Sequence, residues 1–77
     1  MLKFKIVTPE KIIYENEINQ VSIPTMSGEI TVLPNHIPLV SVLKAGELKI
    51  KDKEGEQHIA ISSGFLEVRG NNEIVIL

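Results

Sequence analysis

The chain has 77 residues, enough for one domain over residues 1–77 but close to the lower size limit for a single hydrophobic core. It contains no cysteine, which excludes disulfide bonds and thiolate metal sites and, in so small a domain, favours an intracellular compartment. Its net charge of -2 arises from 8 basic and 10 acidic residues without a basic stripe, which disfavours nucleic-acid binding, and no apolar stretch reaches the roughly 20 residues that cross a bilayer.

The first half of the chain is predicted to form short strands. Leu2, Phe4 and Ile6 alternate with lysines, the period-two pattern of a half-buried strand, which Pro9 ends because proline has no N–H to donate. Strands are expected over residues 2–6, 11–14, 18–23 and 30–33, with turns at 15–17 and a loop at 24–28. Ile18 lies out of parity with the apolar residues after it, so a bulge near Asn19 is expected.

The second half continues in the same manner. Strands are expected over residues 39–43, 47–51, 57–62, 65–68 and 73–77, and the polar segment 52–55 is a hairpin turn. Structural roles in turns are assigned to Pro34, Asn35, Gly46, Gly55 and Gly64. No window has helical spacing, so we predict an all-β chain, a small two-sheet antiparallel sandwich or flattened barrel of about 8–10 short strands.

Two histidines are the first candidates for chemistry. His36 lies between two prolines in the run 34–38, but a catalytic base needs an oriented partner and a metal ligand needs companions. His58, the other histidine, stands at no recognisable metal-binding spacing and is expected to point outwards. We therefore interpret His36 as a loop residue whose ring hydrogen-bonds locally and fixes the turn.

Other polar residues offer weaker candidates. Glu29 is either a solvated charge or one half of an intermolecular ion pair. The segment 62–64, Ser-Ser-Gly, lacks the strand-turn-helix context and the paired base of a nucleophile. The glycines are isolated, which excludes a phosphate-binding loop. No catalytic residue, metal site or cofactor is predicted.

Several predicted strands carry neighbouring apolar residues, which point to opposite faces of a strand. The pairs are 12–13, 39–40 and 65–66, and the run 74–77 has four. In a sandwich only one face of each sheet is buried, so the surplus residues would form an exposed patch of the kind that binds partners. The alternative is that sheet twist buries both faces.

Two segments carry a specific order of prolines and glycines. The first is Gly-Glu-Ile-Thr-Val-Leu-Pro-Asn-His-Ile-Pro-Leu at 28–39, followed by Gly-Glu-Leu at 46–48. The second is Ile-Ser-Ser-Gly-Phe-Leu-Glu-Val at 61–68, followed by Ile-Val-Ile-Leu at 74–77. Together they resemble the N-terminal β-sandwich domain of the epsilon subunit of F-type ATP synthases, called delta in mitochondria. Thr31, Ala45 and Ser63 depart from the pattern in turns and leave the fold prediction intact.

The resemblance implies a non-catalytic rotor subunit of the central stalk. It would link the gamma subunit to the membrane ring, support coupling of proton flow to ATP synthesis, and lie at the cytoplasmic face of a bacterial plasma membrane through the complex. It implies no small-molecule substrate and no direct insertion into the membrane. By family position, the loop of Met26, Ser27, Gly28 and Glu29 would meet the ring, and His36, Ile37 and Pro38 would face gamma.

The family usually continues into a C-terminal helical hairpin, to which inhibition of ATP hydrolysis and ATP sensing belong. Neither property is therefore assigned to this chain, whose sequence stops at Leu77. The alternative function is an all-β protein-interaction module unrelated to ATP synthase. A carbohydrate-binding or hydrolytic domain would need exposed aromatic residues or convergent carboxylates, and neither is evident.

Overall fold

The computed structural model describes all 77 residues, and its regular elements are all β-strands. They are β1 (Leu2–Val7), β2 (Ile12–Ile18), β3 (Gln20–Thr25), β4 (Gly28–Val32), β5 (Leu39–Val42), β6 (Gly46–Asp52), β7 (Gly55–Ile61), β8 (Phe65–Arg69) and β9 (Glu73–Ile76). The all-β prediction is thus confirmed. The structure contains no helix with the length and hydropathy needed to cross a membrane.

The strands form two sheets that pack face to face. One sheet has five strands in the order β2-β1-β9-β8-β5, and the other has four in the order β4-β3-β6-β7. All neighbouring pairs are antiparallel except β1 and β9, which run parallel. The predicted two-sheet, largely antiparallel sandwich is confirmed, with this one parallel pair as an added feature. β1 and β9 come from opposite ends of the sequence, so no hairpin dictates their relative direction.

The core lies between the sheets and is almost entirely aliphatic. Strands β1, β3 and β6 bury alternate residues, as the period of two requires. The core cluster of 13 residues contains Leu2, Phe4, Ile18, Val21, Ile23, Val32, Leu43, Leu48, Ile50, Leu66, Val68, Ile74 and Ile76. Phe4 is fully buried, and its ring meets that of Tyr14 edge-on at 5.8 Å between centroids. Burying each such side chain contributes about 1.5–3 kcal/mol to the stability of the fold, and this burial holds the two sheets together.

Two predicted features of the first half are wrong. Residues 15–17 are not a turn but the middle of β2, where Glu15 pairs with Lys5 of β1. There is no bulge within a single strand at Asn19. Instead, the chain leaves the five-stranded sheet there and enters the four-stranded one, so Ile18 and Val21 both face the core despite their odd spacing. When the chain passes from one sheet to the other, the alternation of inward and outward residues starts again, as it would after a bulge.

The predicted loop at 24–28 is much shorter in the structure. Thr25 ends β3 and pairs with Gly28 of β4, which leaves Met26 and Ser27 as the turn. The buried hydroxyl of Thr25 donates to the Gly28 carbonyl at 2.6 Å and accepts from the Ser27 N–H at 3.2 Å. The side chain of Thr25 therefore ties the hairpin from inside.

Candidate functional site

The two predicted contact regions lie at opposite ends of β4. The segment Met26 to Glu29 opens this strand, and the loop that contains His36 follows its end at Val32. The strand has 5 residues, which at about 3.3 Å per residue separates the two regions by roughly 16 Å. The structure therefore does not bring Glu29 and His36 together, and the two residues lie at separate places on the surface.

The β3–β4 hairpin projects from one end of the sandwich. All four of its predicted contact residues, 26–29, are exposed, and Met26 is 67% exposed. The hairpin is held at its base, where the Met26 N–H donates to the Val42 carbonyl at 2.9 Å and the Lys44 N–H to the Pro24 carbonyl at 3.0 Å. The exposed tip carries one apolar side chain, that of Met26.

Glu29 carries the only charge of this tip. Its Oε2 lies 3.8 Å from the Nζ of Lys49 on β6, and both side chains are about half exposed. An exposed ion pair at this distance contributes little to stability because water and salt screen it. The Glu29 carboxylate thus stays accessible to a partner that can compete with Lys49.

The loop between β4 and β5 is fixed by backbone hydrogen bonds. Asn35 adopts a φ of 68°, and its N–H donates to Oδ1 of Asn72 at 2.6 Å. The His36 N–H donates to the Leu33 carbonyl at 3.2 Å, and Nδ1 of its ring lies 2.6 Å from the Ile37 carbonyl. These contacts suit a histidine that shapes its own loop, because its ring hydrogen-bonds to the carbonyl of the next residue, Ile37.

An apolar face extends from this loop along the edge of the five-stranded sheet. We use the name apolar face for Val40 and Val42 of β5, Phe65 of β8, and Leu77. These side chains are 73%, 48%, 55% and 59% exposed, respectively. Val42 pairs with Phe65 across the strands, and the backbones of Phe65 and Leu77 exchange two hydrogen bonds. Ile37, 78% exposed, lies just before β5 and adds to the apolar character at its other end.

The surplus apolar residues differ in how far they are exposed. Ile12 and Ile13 are both exposed, by 51% and 58%, and belong to no buried face. Val75, in contrast, lies on the outer face yet is only 5% exposed. It sits between Lys5 and Glu67 in the register, whose long side chains flank it.

The rest of the same outer face is charged. Arg69 donates from Nε to Glu67 at 2.6 Å and from Nη1 to Glu73 at 3.0 Å, and Lys5 lies 3.4 Å from Glu73. The hydrogen bond from Arg69, then that from Lys5, lowers the pKa of Glu73. This cluster and the apolar face divide one surface into two chemically distinct halves.

The outer face of the four-stranded sheet is polar. His58 points outwards, as predicted, with Nε2 2.7 Å from Glu56 and Nδ1 3.3 Å from Glu47. The hydrogen bond with Glu56 raises the pKa of His58, and the same bond lowers the pKa of Glu56. No three His, Cys, Asp or Glu side chains converge to hold a metal ion. Sequence reasoning missed both partners of His58: Glu47 reaches it across strands from β6 and depends on register, whereas Glu56, two residues earlier on the same face of β7, could have been found from the period of two.

The segment 62–64 borders a groove that is mainly apolar. This groove of about 340 Å³ is lined mostly by apolar side chains, and Ser62 and Ser63 lie at its rim. No histidine lines this groove, so the arrangement offers these serines no base.

Comparison with known proteins gives a consistent family assignment. The family model described as "ATP synthase, Delta/Epsilon chain, beta-sandwich domain" matches residues 1–77. The chain is 43% identical over 75 residues to the ATP synthase epsilon chain of Dehalococcoides mccartyi, covering 97% of this chain and 54% of that relative. It is also 43% identical over 75 residues to the epsilon chain of Desulforamulus reducens, covering 97% of this chain and 56% of that one. The chain thus spans about half the length of the curated relatives it matches.

Solved structures agree in fold. A chain in the mitochondrial ATP synthase of Euglena gracilis, solved with OSCP, F1 and the c-ring, matches with a TM-score of 0.88 and 25% identity over 97% of this chain and 48% of that chain. A chain of the central stalk and c-ring assembly from Tetrahymena thermophila matches with a TM-score of 0.76. At 20% identity over 99% of this chain and 63% of that chain, the second match supports the fold alone.

Proposed function

The chain belongs to the delta/epsilon β-sandwich family of ATP synthases, and we propose that it serves as a non-catalytic central-stalk subunit that links gamma to the membrane ring. The alternative of an interaction module unrelated to ATP synthase is wrong, because the family match extends over residues 1–77. Family membership alone does not say which subunits the chain contacts or how it supports coupling, and the proposal concerns these two points.

The observation that carries the proposal is the apolar face. Val40 and Phe65 are both exposed; Val40 lies on β5 close to the loop of His36, Ile37 and Pro38, which the family resemblance assigns to gamma, and Phe65 lies at the far end of the face, opposite Val42. Exposed apolar side chains grouped on one face of a small domain are typical of a protein interface, since their burial contributes about 25 cal/mol per Å². We assign this face and the adjacent loop to gamma.

The ring contact is assigned to the β3–β4 hairpin. Met26 and Glu29 project from the end of the sandwich where β4 begins, whereas the loop of His36 lies at the other end of that strand. The hairpin adjoins the Val42 end of the apolar face, where the Met26 N–H donates to the Val42 carbonyl, so the module can contact two partners on neighbouring parts of its surface. Rotation transmitted between them needs stiffness rather than chemistry, and the core described above supplies it. The proposed place of action is the cytoplasmic face of a bacterial plasma membrane.

Reconstitution tests the assignment of both contacts. ATP synthase depleted of its own epsilon subunit is supplied with this chain, either unchanged or as Glu29→Lys, with Glu10→Lys as an exposed control. The unchanged chain is expected to co-purify with gamma and to restore ATP-driven proton pumping. Glu29→Lys should keep gamma but restore several-fold less pumping. Failure of the unchanged chain to bind gamma would overturn the proposed function, and full pumping with Glu29→Lys would overturn the ring contact.

A further inference from the structure

A row of charged side chains crosses the outer face of the four-stranded sheet from β4 to β7. Glu29 on β4 pairs with Lys49 on β6 at 3.8 Å, across the intervening β3. Ser22 of β3 lies directly opposite Lys49, and its short side chain leaves room for the lysine to pass. On the other side, Lys49 lies directly opposite His58 of β7. Lys49 is thus the shared neighbour of Glu29 and His58.

His58 has its own acidic partners in this row. Its two ring nitrogens face Glu47 at 3.3 Å and Glu56 at 2.7 Å. Glu47 lies two residues from Lys49 on the same face of β6, so it can attract either His58 or Lys49. Lys51 lies opposite Glu56 and completes the set of charged groups around the histidine.

We propose that His58, acting through Lys49, regulates how available the Glu29 carboxylate is to the membrane ring. This inference rests on the proposed ring contact and deepens it. When His58 is neutral, the charge of Glu47 is uncompensated and Lys49 divides its time between Glu47 and Glu29. When His58 is protonated, it compensates Glu47 and repels Lys49, which then remains with Glu29. A cation or N–H donor of the ring must compete with that lysine, so acidification weakens the contact.

The chemistry of the row suits a response near neutral pH. Hydrogen bonding to Glu56, with a further contribution from Glu47, raises the pKa of His58 above its ordinary value of 6.5. His58 lies on the edge strand β7, and its side chain is 43% exposed, so protons exchange with solvent freely. Lys49 acts here as a positioning residue for Glu29.

A double-mutant cycle on the 77-residue chain tests the coupling directly. The reporter is the midpoint of the His58 imidazole titration, followed by NMR at about 0.1 M salt. Glu29 and His58 lie three strands apart, roughly 14 Å, which exceeds the Debye length of about 10 Å, so their direct interaction is screened. Glu29→Gln frees Lys49 to approach His58 and should lower the midpoint by about 0.2 pH unit.

In the Lys49→Gln background, Glu29→Gln should leave the His58 midpoint unchanged. Lys11→Gln, a substitution of an exposed lysine in the segment before β2, is the matched control and should leave the effect of Glu29→Gln intact. An equal shift with and without Lys49, or no shift in either background, would overturn the coupling. The proposed function would be unaffected by that result.

The consequence for the ring is tested by attachment. The affinity of the gamma-bound chain for the detergent-solubilised ring is measured above and below the His58 midpoint. Acidification is expected to weaken attachment by about twofold for the unchanged chain and to have a smaller effect on His58→Gln. The same pH effect in both proteins would overturn the regulation alone. A lack of attachment at every pH would instead overturn the proposed ring contact and, with it, this inference.

Discussion

At the residue scale, the contact between His58 and Glu56 makes stability depend on pH. Because the folded pKa of His58 is raised, its contribution is complete below its ordinary value of 6.5 and is lost as pH rises through the folded pKa. The folded pKa of Glu56 is lowered, so its contribution is present above 4.5 and is lost as pH falls through the folded value. Both contributions are therefore present between about pH 4.5 and 6.5.

Glu56→Gln is expected to lower the unfolding midpoint in urea at pH 5.5 and to have a much smaller effect at pH 9. It should also move the His58 titration towards its ordinary value. Glu54→Gln is the control, because Glu54 lies in the adjacent turn and its carboxylate makes no ion pair. If Glu56→Gln lost the same stability at both pH values, the contact between Glu56 and His58 would not depend on the charge of His58.

Residue roles were predictable where they depend on local geometry. The interpretation of His36 as a loop residue needed only its flanking prolines, and its ring does lie against the neighbouring Ile37 carbonyl. The pairing of Glu29 with Lys49 and of His58 with Glu47 was not predictable, because these partners reach across strands, whereas Glu56 lies two residues from His58 on the same strand. A cross-strand pair exists only once register is set, and register depends on packing of the whole sheet.

At the element scale, Gly64 shows how one turn can secure the end of a sheet. It adopts a φ of 142°, and a Cβ at this position would lie 2.5 Å from the Leu77 carbonyl oxygen. Gly28 also has a positive φ, 117°, but a Cβ there would meet nothing within 4 Å. A side chain at position 28 would therefore meet backbone strain alone, whereas one at position 64 would also clash with Leu77.

Gly28→Ala is expected to cost about 1–2 kcal/mol, the strain of a left-handed residue with a side chain. Gly64→Ala should cost about 3 kcal/mol or more, because the new methyl group also displaces Leu77 from its two hydrogen bonds with Phe65. Urea unfolding of both variants measures the difference. Equal costs would mean that the Leu77 backbone moves aside freely and that the contact is not a constraint.

Element type followed from the sequence better than element boundaries did. The hairpin at Asp52–Gly55 was predicted from its polar residues and its glycine, and Gly55 indeed has a φ of 128°. The change of sheet at Asn19 was not predicted, since a shift in parity has the same sequence pattern whether it arises from a bulge or from a crossing between sheets. The polar residues 15–17 predict a turn, yet their pairing with β1 makes them part of a strand.

At the scale of the whole molecule, the two sheets present unlike surfaces to solvent. The outer face of the four-stranded sheet carries Lys49, Lys51 and His58 with their acidic partners, whereas one half of the other sheet exposes the apolar face. The amount of surplus apolar sequence was predictable, but its grouping was not. Residues 12–13, 40, 42, 65 and 77 are far apart in the chain, and only the strand order brings the last four together.

This asymmetry predicts that gamma binds one face only. Phe65 is 55% exposed and lies beside Val42, so Phe65→Lys places a charge within the apolar face without opening the core. Gamma capture by this variant should weaken by at least about tenfold, since a central aromatic side chain commonly dominates an interface.

Ala60→Lys adds the same charge to an exposed position of β7 on the polar sheet and should bind gamma normally. Circular dichroism and urea unfolding establish that both variants remain folded. If both variants lost gamma equally, or if neither did, the contact would not be specific to the apolar face, and gamma would have to bind elsewhere on the sandwich.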